Sequence, residues 1–318
     1  MNMKIARIFV TIPIAALLLA ACSPQPAPAN TPVPTAEPID TTITLVDDMG
    51  RTVTLAAPPQ RIVSTAASLT EILYAIGAGD LLVGRDDFSV YPETVASVPS
   101  FGTLWGDFPA EAILGMQPDL VLAAEILSAE QVQALEDLGL AVYWQANPIT
   151  FEDLYANIQE IATLTGRATE AEALVADLES RVNSVLETVS AAETTPIVFY
   201  ELDATDPSNP WTAGSGTFVD HIITFAGGVN AAAALEGAFS QLSLEALIAV
   251  NPDFIILGDA DFGVTAEQVT ARGGWDQTAA VLNGDIYPIN SNWMSVPGPR
   301  LVDGLEAVAR IIHPELFD

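Results

Sequence analysis

The chain repeats itself. Residues 109–123 read PAEAILGMQPDLVLA, residues 243–257 read SLEALIAVNPDFIIL, and the two runs align without a gap. Each places a glutamate, Glu111 or Glu245, near the start of a short helical pattern. Seven residues later each turns at Pro-Asp (Pro118-Asp119, Pro252-Asp253) and enters four or five strand-forming apolar residues. A helix that stops at proline and hands over to a buried strand is half of a βαβ unit. Two such copies predict two α/β lobes in which the repeated segments hold equivalent positions.

The remaining pattern fits that frame. Residues 43–55 (ITLVDDMGRTVTL) predict a β-hairpin, with two alternating runs flanking Asp-Met-Gly. Residues 61–65 predict a strand, followed by a helix with Ser68 as cap, Glu71 as its capping-box partner and Gly77 as stop. Residues 81–84 predict the next strand. Ser128 and Gln131 make a second capping box on a helix that ends at Gly139, before a strand at 141–144 whose Trp144 reads as core. Residues 151–164 and 169–191 differ, because no strand lies between them. Leu174, Leu178, Val182, Val185, Leu186 and Val189 keep a helical period over more than five turns. That helix is about 30–35 Å long at 1.5 Å per residue. Strand–helix alternation then resumes with a strand at 197–202, a helix at 217–226 closed by Gly227-Gly228, a helix near 265–271, a strand at 285–289 and a final helix from Arg300 to Ile312. The expected fold is α/β: two Rossmann-like lobes, 41–168 and 194–318, joined by one long helix at 169–193, with a ligand cleft between them.

The ends and the charge restrict where such a chain works. Lys4 and Arg7 precede an apolar run from Ile8 to Leu19, a signal-peptide pattern too short to be a comfortable membrane span. Leu19-Ala20-Ala21-Cys22 resembles the bacterial lipobox, which implies a signal peptide over 1–21 and a lipidated Cys22. Cys22 is the single cysteine, so no intramolecular disulfide forms. The six prolines of residues 23–38 suit a tether, within 22–40, that reaches up to roughly 50 Å from a bilayer. The membrane contact expected is through the lipid anchor only, on the periplasmic or outer face of the cell membrane. Without residues 1–21 the chain loses Lys4 and Arg7 and no acid, leaving 41 acidic residues against eight arginines. That excludes nucleic acid as a partner. It also suits a saline exterior in which repulsion is screened.

Five segments in order (DDMGRTVTL…PPQRIVSTAASLTEILYAIGAGDLLVG, PAEAILGMQPDLVLA, WTAGSGTFVDHIITFAGGVN, SLEALIAVNPDFIILG and VPGPRLVDGLEAVARIIHPELF) resemble the substrate-binding lipoproteins of ABC importers for iron-siderophores, haem and cobalamin. The resemblance spans about 40–318. It implies a monomer that captures a metal chelate and docks on a permease dimer served by an ATPase. Glu111 and Glu245 match the lobe glutamates that in this family project toward permease arginines. A carboxylate in a first helical turn also favours the macrodipole by about 0.3–1 kcal/mol, with no partner needed. The family's aromatic cleft loops match Phe88 and Tyr91, Trp105, Trp211, Phe239 and Trp293. Trp105 and Phe239 each lie six residues before a repeat glutamate, so the expectation is that they face each other across the cleft.

The ligand stays open at this level between a corrinoid such as cobalamin, which suits an aromatic neutral cleft, and a ferric siderophore. Arg85 and Arg300 lie near cleft loops, where they could pair with siderophore oxygens. Arg300 serves equally well as the opening of the last helix. Haem needs an axial His or Tyr. Tyr91 is the cleft candidate, because His221 and His313 read as surface residues. No resident cofactor or metal site is expected without clustered His or Cys. Catalysis is not expected either, since no Ser-His-Asp or Cys-His set can be assembled and GSGT at 214–217 is not a nucleophile elbow. It reads instead as a helix N-terminus able to hold a ligand oxygen. A surface lipoprotein with a purely structural role is the remaining alternative.

Overall fold

In a computed structural model the described residues are 41–317. The signal-peptide, tether and Cys22 expectations lie outside them. The chain opens with an antiparallel hairpin, β1 (Ile43–Val46) and β2 (Thr52–Leu55), with Ile43 opposite Leu55. Its turn closes because the Asp47 carboxylate accepts from the Met49 and Arg51 amides and pairs with the Arg51 guanidinium.

The first lobe then runs β3 (Ile62–Ser64), α1 (Ala67–Ala75), β4 (Leu82–Arg85), α2 (Ala110–Gly115), β5 (Leu120–Ala124), α3 (Ala129–Asp137), β6 (Val142–Gln145) and α4 (Phe151–Thr165). Its four strands are parallel in the order β4-β3-β5-β6. Gly166, at φ +70°, breaks the helical path, and α5 (Ala168–Val189) begins two residues later. Ala171, Val175, Leu178, Val182 and Val185 of α5 are buried at steps of four and three, one stripe of a 3.6-residue helix.

The second lobe runs β7 (Ile197–Glu201), β8 (Trp211–Ala213), α6 (Phe218–Phe225), β9 (Val229–Asn230), β10 (Phe239–Gln241), α7 (Leu244–Val250), β11 (Phe254–Leu257), α8 (Ala266–Thr270), α9 (Ala279–Asn283), β12 (Ile286–Pro288), α10 (Ser291–Ser295) and α11 (Leu301–Ile312). Its parallel sheet has the order β9-β7-β11-β12. Numbered within each parallel sheet, both have the order 2-1-3-4. The repeated segments become α2–β5 and α7–β11, each helix leading into the third strand of its parallel sheet.

The lobes share one core. Leu69 and Ile158 of the first lobe, Leu178 and Val182 of α5, and Ile223 and Leu305 of the second lobe belong to a single buried apolar cluster. Smaller cores lie under the far face of each sheet, around Ile113 and Val121 in one and Leu247 and Trp275 in the other. On α5, Arg181 donates to Asp303 at 2.6 Å and to Glu306 at 2.8 Å, fastening the bridging helix to α11.

Three local expectations need correction. The capping box at Ser68 is not formed: Ala66 is the cap position of α1, and Glu71 is buried and turned to a distant arginine. The box at Ser128–Gln131 does form, and the structure adds another at Thr150–Asp153. His313 is not a surface residue but fully buried, with Nε2 3.3 Å from the Gly227 carbonyl oxygen. His221 is half-buried and stacks on Phe225 with ring centroids 3.9 Å apart, and burial lowers its pKa. Beyond these corrections, β8 and β10 pair as an antiparallel ribbon that three-residue strands are too short to announce by alternation.

Candidate functional site

Open α/β sheets bind ligands in the crevice outside the carboxyl ends of their strands, where the strand order reverses. In the first lobe that edge holds a recess of about 450 Å³. Residues after β3 (Thr65, Ser68), β4 (Asp86, Phe88), β5 (Ile126) and β6 (Asn147) line it. The opposite wall comes from the second lobe, as Asn292, Ser295, Val296 and Pro297. The recess therefore lies between the lobes.

Of the aromatic candidates, Phe88 and Trp105 line this recess, and Trp105 is 66 % exposed. The others lie elsewhere. Tyr91 is stacked under the Arg300 guanidinium, 4.0 Å from ring centroid to Cζ. Trp211 and Phe239 sit on the β8–β10 ribbon, where Phe239 packs 6.3 Å from the Phe218 ring. Trp293 is partly buried against the shared core. Trp105 lies on an irregular loop and Phe239 on a strand, so the two equivalent positions carry their rings on different backbone. Trp144 packs on the first lobe's smaller core and donates its Nε1–H to the Leu127 carbonyl at 3.1 Å.

The two arginines also depart from expectation. Arg85 directs its guanidinium to the carbonyls of Val95 and Val98, each at 3.2 Å, and of Asp86 at 3.0 Å. It ties down the 86–98 loop and has little left for a ligand. Arg300 makes a two-pronged bond to Glu71, at 3.0 and 2.5 Å. Desolvation raises the Glu71 pKa, and the Arg300 bonds oppose that shift. The pair joins the middle of α1 to the N-cap residue of α11, so it bridges the lobes beside the recess. The crossing is tight: a Cβ on Gly298 would lie 3.4 Å from both the Ser68 carbonyl oxygen and Glu71 Oε2.

The charges lining the recess are therefore acidic. Asp86 is buried, its pKa raised by that burial, and it accepts from the Ser89 hydroxyl and from the Phe88 amide at 3.1 Å, which shapes the loop carrying Phe88. Asp87 receives the Ser100 hydroxyl at 2.6 Å. The expected oxygen-binding helix start at 214–217 is also occupied by acid, since Asp220 accepts from the Gly216 amide at 3.3 Å and Thr217 Oγ1 caps α6. Among the described residues no group of three or more His, Cys, Asp or Glu side chains is arranged to hold a metal ion. Sequence reasoning missed Ser68, Asn147, Asn292 and Ser295, which sit just beyond the strand ends and follow from strand direction alone.

Glu111 and Glu245 occupy the first turns of α2 and α7. Both are exposed, and neither has an ion-pair partner among the described residues. No helix among the described residues is long and apolar enough to cross a membrane.

Comparison with known proteins agrees with this architecture. The chain is 34 % identical over 265 residues to the uncharacterized ABC transporter substrate-binding lipoprotein YvrC of Bacillus subtilis, covering 81 % of this chain and 82 % of that protein. It is 29 % identical over 263 residues to a cobalamin-binding protein of Halobacterium salinarum, covering 80 % and 70 %. The periplasmic haem-binding protein RhuT of Roseiflexus sp. RS-1 superposes with a TM-score of 0.72 at 28 % identity, over 81 % of this chain and 99 % of that one. A model of the periplasmic binding protein family matches residues 62–292, so this chain, with its paired 2-1-3-4 sheets and single bridging helix, belongs to that family.

Proposed function

We propose that the chain is the extracytoplasmic, lipid-anchored substrate-binding component of an ABC importer, and that its cargo is a bulky metal chelate without net negative charge, a corrinoid before all others. One observation carries the choice of cargo. The recess has aromatic walls and two aspartates, while both nearby arginines are consumed, Arg85 by backbone carbonyls and Arg300 by Glu71. A haem with two carboxylates, or a carboxylate siderophore, meets like charge there and no free guanidinium. A corrinoid's amide arms suit Asn147, Asn292 and Ser295, and its flat face suits Phe88 and Trp105. The cobalamin-binding relative supports this reading. An uncharged ferric hydroxamate meets the same electrostatic requirement and is the second reading.

Glu111 and Glu245, one per lobe at equivalent positions, are the proposed contacts for the two halves of a permease dimer. The shared core and the Glu71–Arg300 bridge favour small closing motions. A thermal-shift series tests the cargo. Cyanocobalamin, a ferric hydroxamate, haem and ferric citrate are compared at one common concentration, about a hundredfold above the Kd of cyanocobalamin, so that the size of each shift ranks affinity. Cyanocobalamin should add about 2.7 kcal/mol of stability at that excess. Tighter binding of haem or ferric citrate than of cyanocobalamin would overturn the charge argument.

A further inference from the structure

The second lobe carries its own crevice. A recess of about 360 Å³ lies at the carboxyl ends of β7 and β11, the first and third strands of that lobe's parallel sheet, and shares no lining residue with the first recess. Its polar lining includes Asp203 and Asp259, and Phe262, 84 % exposed, stands beside them. Asp259 is only 6 % exposed, and its Oδ1 has no hydrogen-bond partner. An unpartnered buried carboxylate oxygen costs free energy unless a donor meets it.

The charges around Asp259 say what kind of donor is wanted. On the neighbouring strand, fully buried Glu201 accepts two bonds from Arg272, at 2.5 and 2.9 Å, and Arg272 stacks 4.6 Å from the centroid of the Trp275 ring. Arg272 thus pairs with Glu201, and Asp259 is left beside that carboxylate without a counter-charge of its own. Tyr200, also on β7, is a buried phenol with a raised pKa. We infer that this recess is a binding site for an organic cation, a primary ammonium or guanidinium group held by Asp259 and Asp203 against the face of Phe262. The cation takes the place that a proton fills at lower pH. Burial first, and then the Glu201 charge, push the Asp259 pKa up to about 7. Phe262 adds a cation–π contact. This site is separate from chelate capture and does not depend on it.

Titration of the 15N-labelled protein with n-butylammonium, and with n-butanol as the uncharged isostere, tests the site by NMR. Butylammonium should give saturating shifts at the amides of Asp203, Thr205, Asp259 and Phe262, and butanol should not. Ionised Asp259 is the binding form, so affinity should rise with pH, about tenfold from pH 6 to pH 8. Asp259→Asn should weaken binding at least tenfold. Phe262→Ala, at an exposed position that the fold does not need, should weaken it about threefold. The inference is overturned if butanol gives the same response, if no saturating shift appears with butylammonium, or if Phe262→Ala and a folded Asp259→Asn both leave its affinity unchanged.

Discussion

The two crevices share a strand order and almost nothing else. In the first lobe the carboxyl edge is open, aromatic and shaped by loops, and its far wall comes from the other lobe. In the second lobe it is walled by the lobe's own residues and has acids at its base, with an internal Arg272–Glu201 pair beneath it. Equivalent backbone positions therefore do not imply equivalent chemistry. The 2-1-3-4 order says where a ligand can sit, and the loops between strands say what it must be. The ribbon β8–β10 is one cause of the difference: it draws Trp211 and Phe239 into a β-structure with no counterpart in the first lobe.

Three pairs of substitutions sharpen or break that contrast. The largest effect is expected at the two arginine–carboxylate pairs. Arg272→Ala strands buried Glu201 and should cost about 3–5 kcal/mol of stability in urea unfolding. Arg300→Ala strands Glu71 to a similar extent, but it should also loosen the wall at 295–297 and weaken chelate binding. If Arg272→Ala disturbs chelate affinity as much as Arg300→Ala does, the division of labour between the lobes is wrong.

An intermediate effect is expected at the aromatics. Trp105→Ala should weaken chelate binding by about 2 kcal/mol in calorimetric titration, the scale of a buried aromatic anchor. Phe239→Ala should change it by less than about 0.5 kcal/mol, as a ribbon residue outside the recess. Equal losses would place Phe239 in the ligand contact after all.

The smallest effect in purified protein is expected at the repeated glutamates. Glu111→Gln and Glu245→Gln should each lower stability by about 0.3–1 kcal/mol, alike in both lobes, because each loses one favourable charge at a helix start. Reversal to arginine should leave ligand affinity unchanged and sharply reduce uptake by cells. Normal uptake with both reversed would leave the two carboxylates as helix-end groups only.

Much of this architecture is legible from local pattern. The stripe of α5 follows from apolar spacing at Leu178, Val182 and Val185, with Leu174, Leu186 and Val189 half-buried at its margin, and the strands of both sheets from short apolar runs between turns. The glutamates' exposed first-turn positions follow from the repeat. Less of the site was legible. Phe88 and Trp105 share a recess, whereas Tyr91, Trp211, Phe239 and Trp293 have identical credentials in sequence and lie outside it.

The sequence by itself determined two α/β lobes, one bridging helix, a strongly acidic surface and a duplicated glutamate, since each rests on composition or on neighbours a few residues apart. Tertiary structure alone decided which charges remain free. Glu71 looked like a helix cap and became the partner of Arg300, 229 residues away; Arg272 found Glu201 across 71 residues, and His313 was buried under the Gly227 turn. Hydrophobic period is a local property of the chain, but the partner of a buried charge is whatever the folded loops bring within about 3 Å of it. The electrostatic sign of the cleft, on which the choice of cargo turns, belongs to that second kind of information.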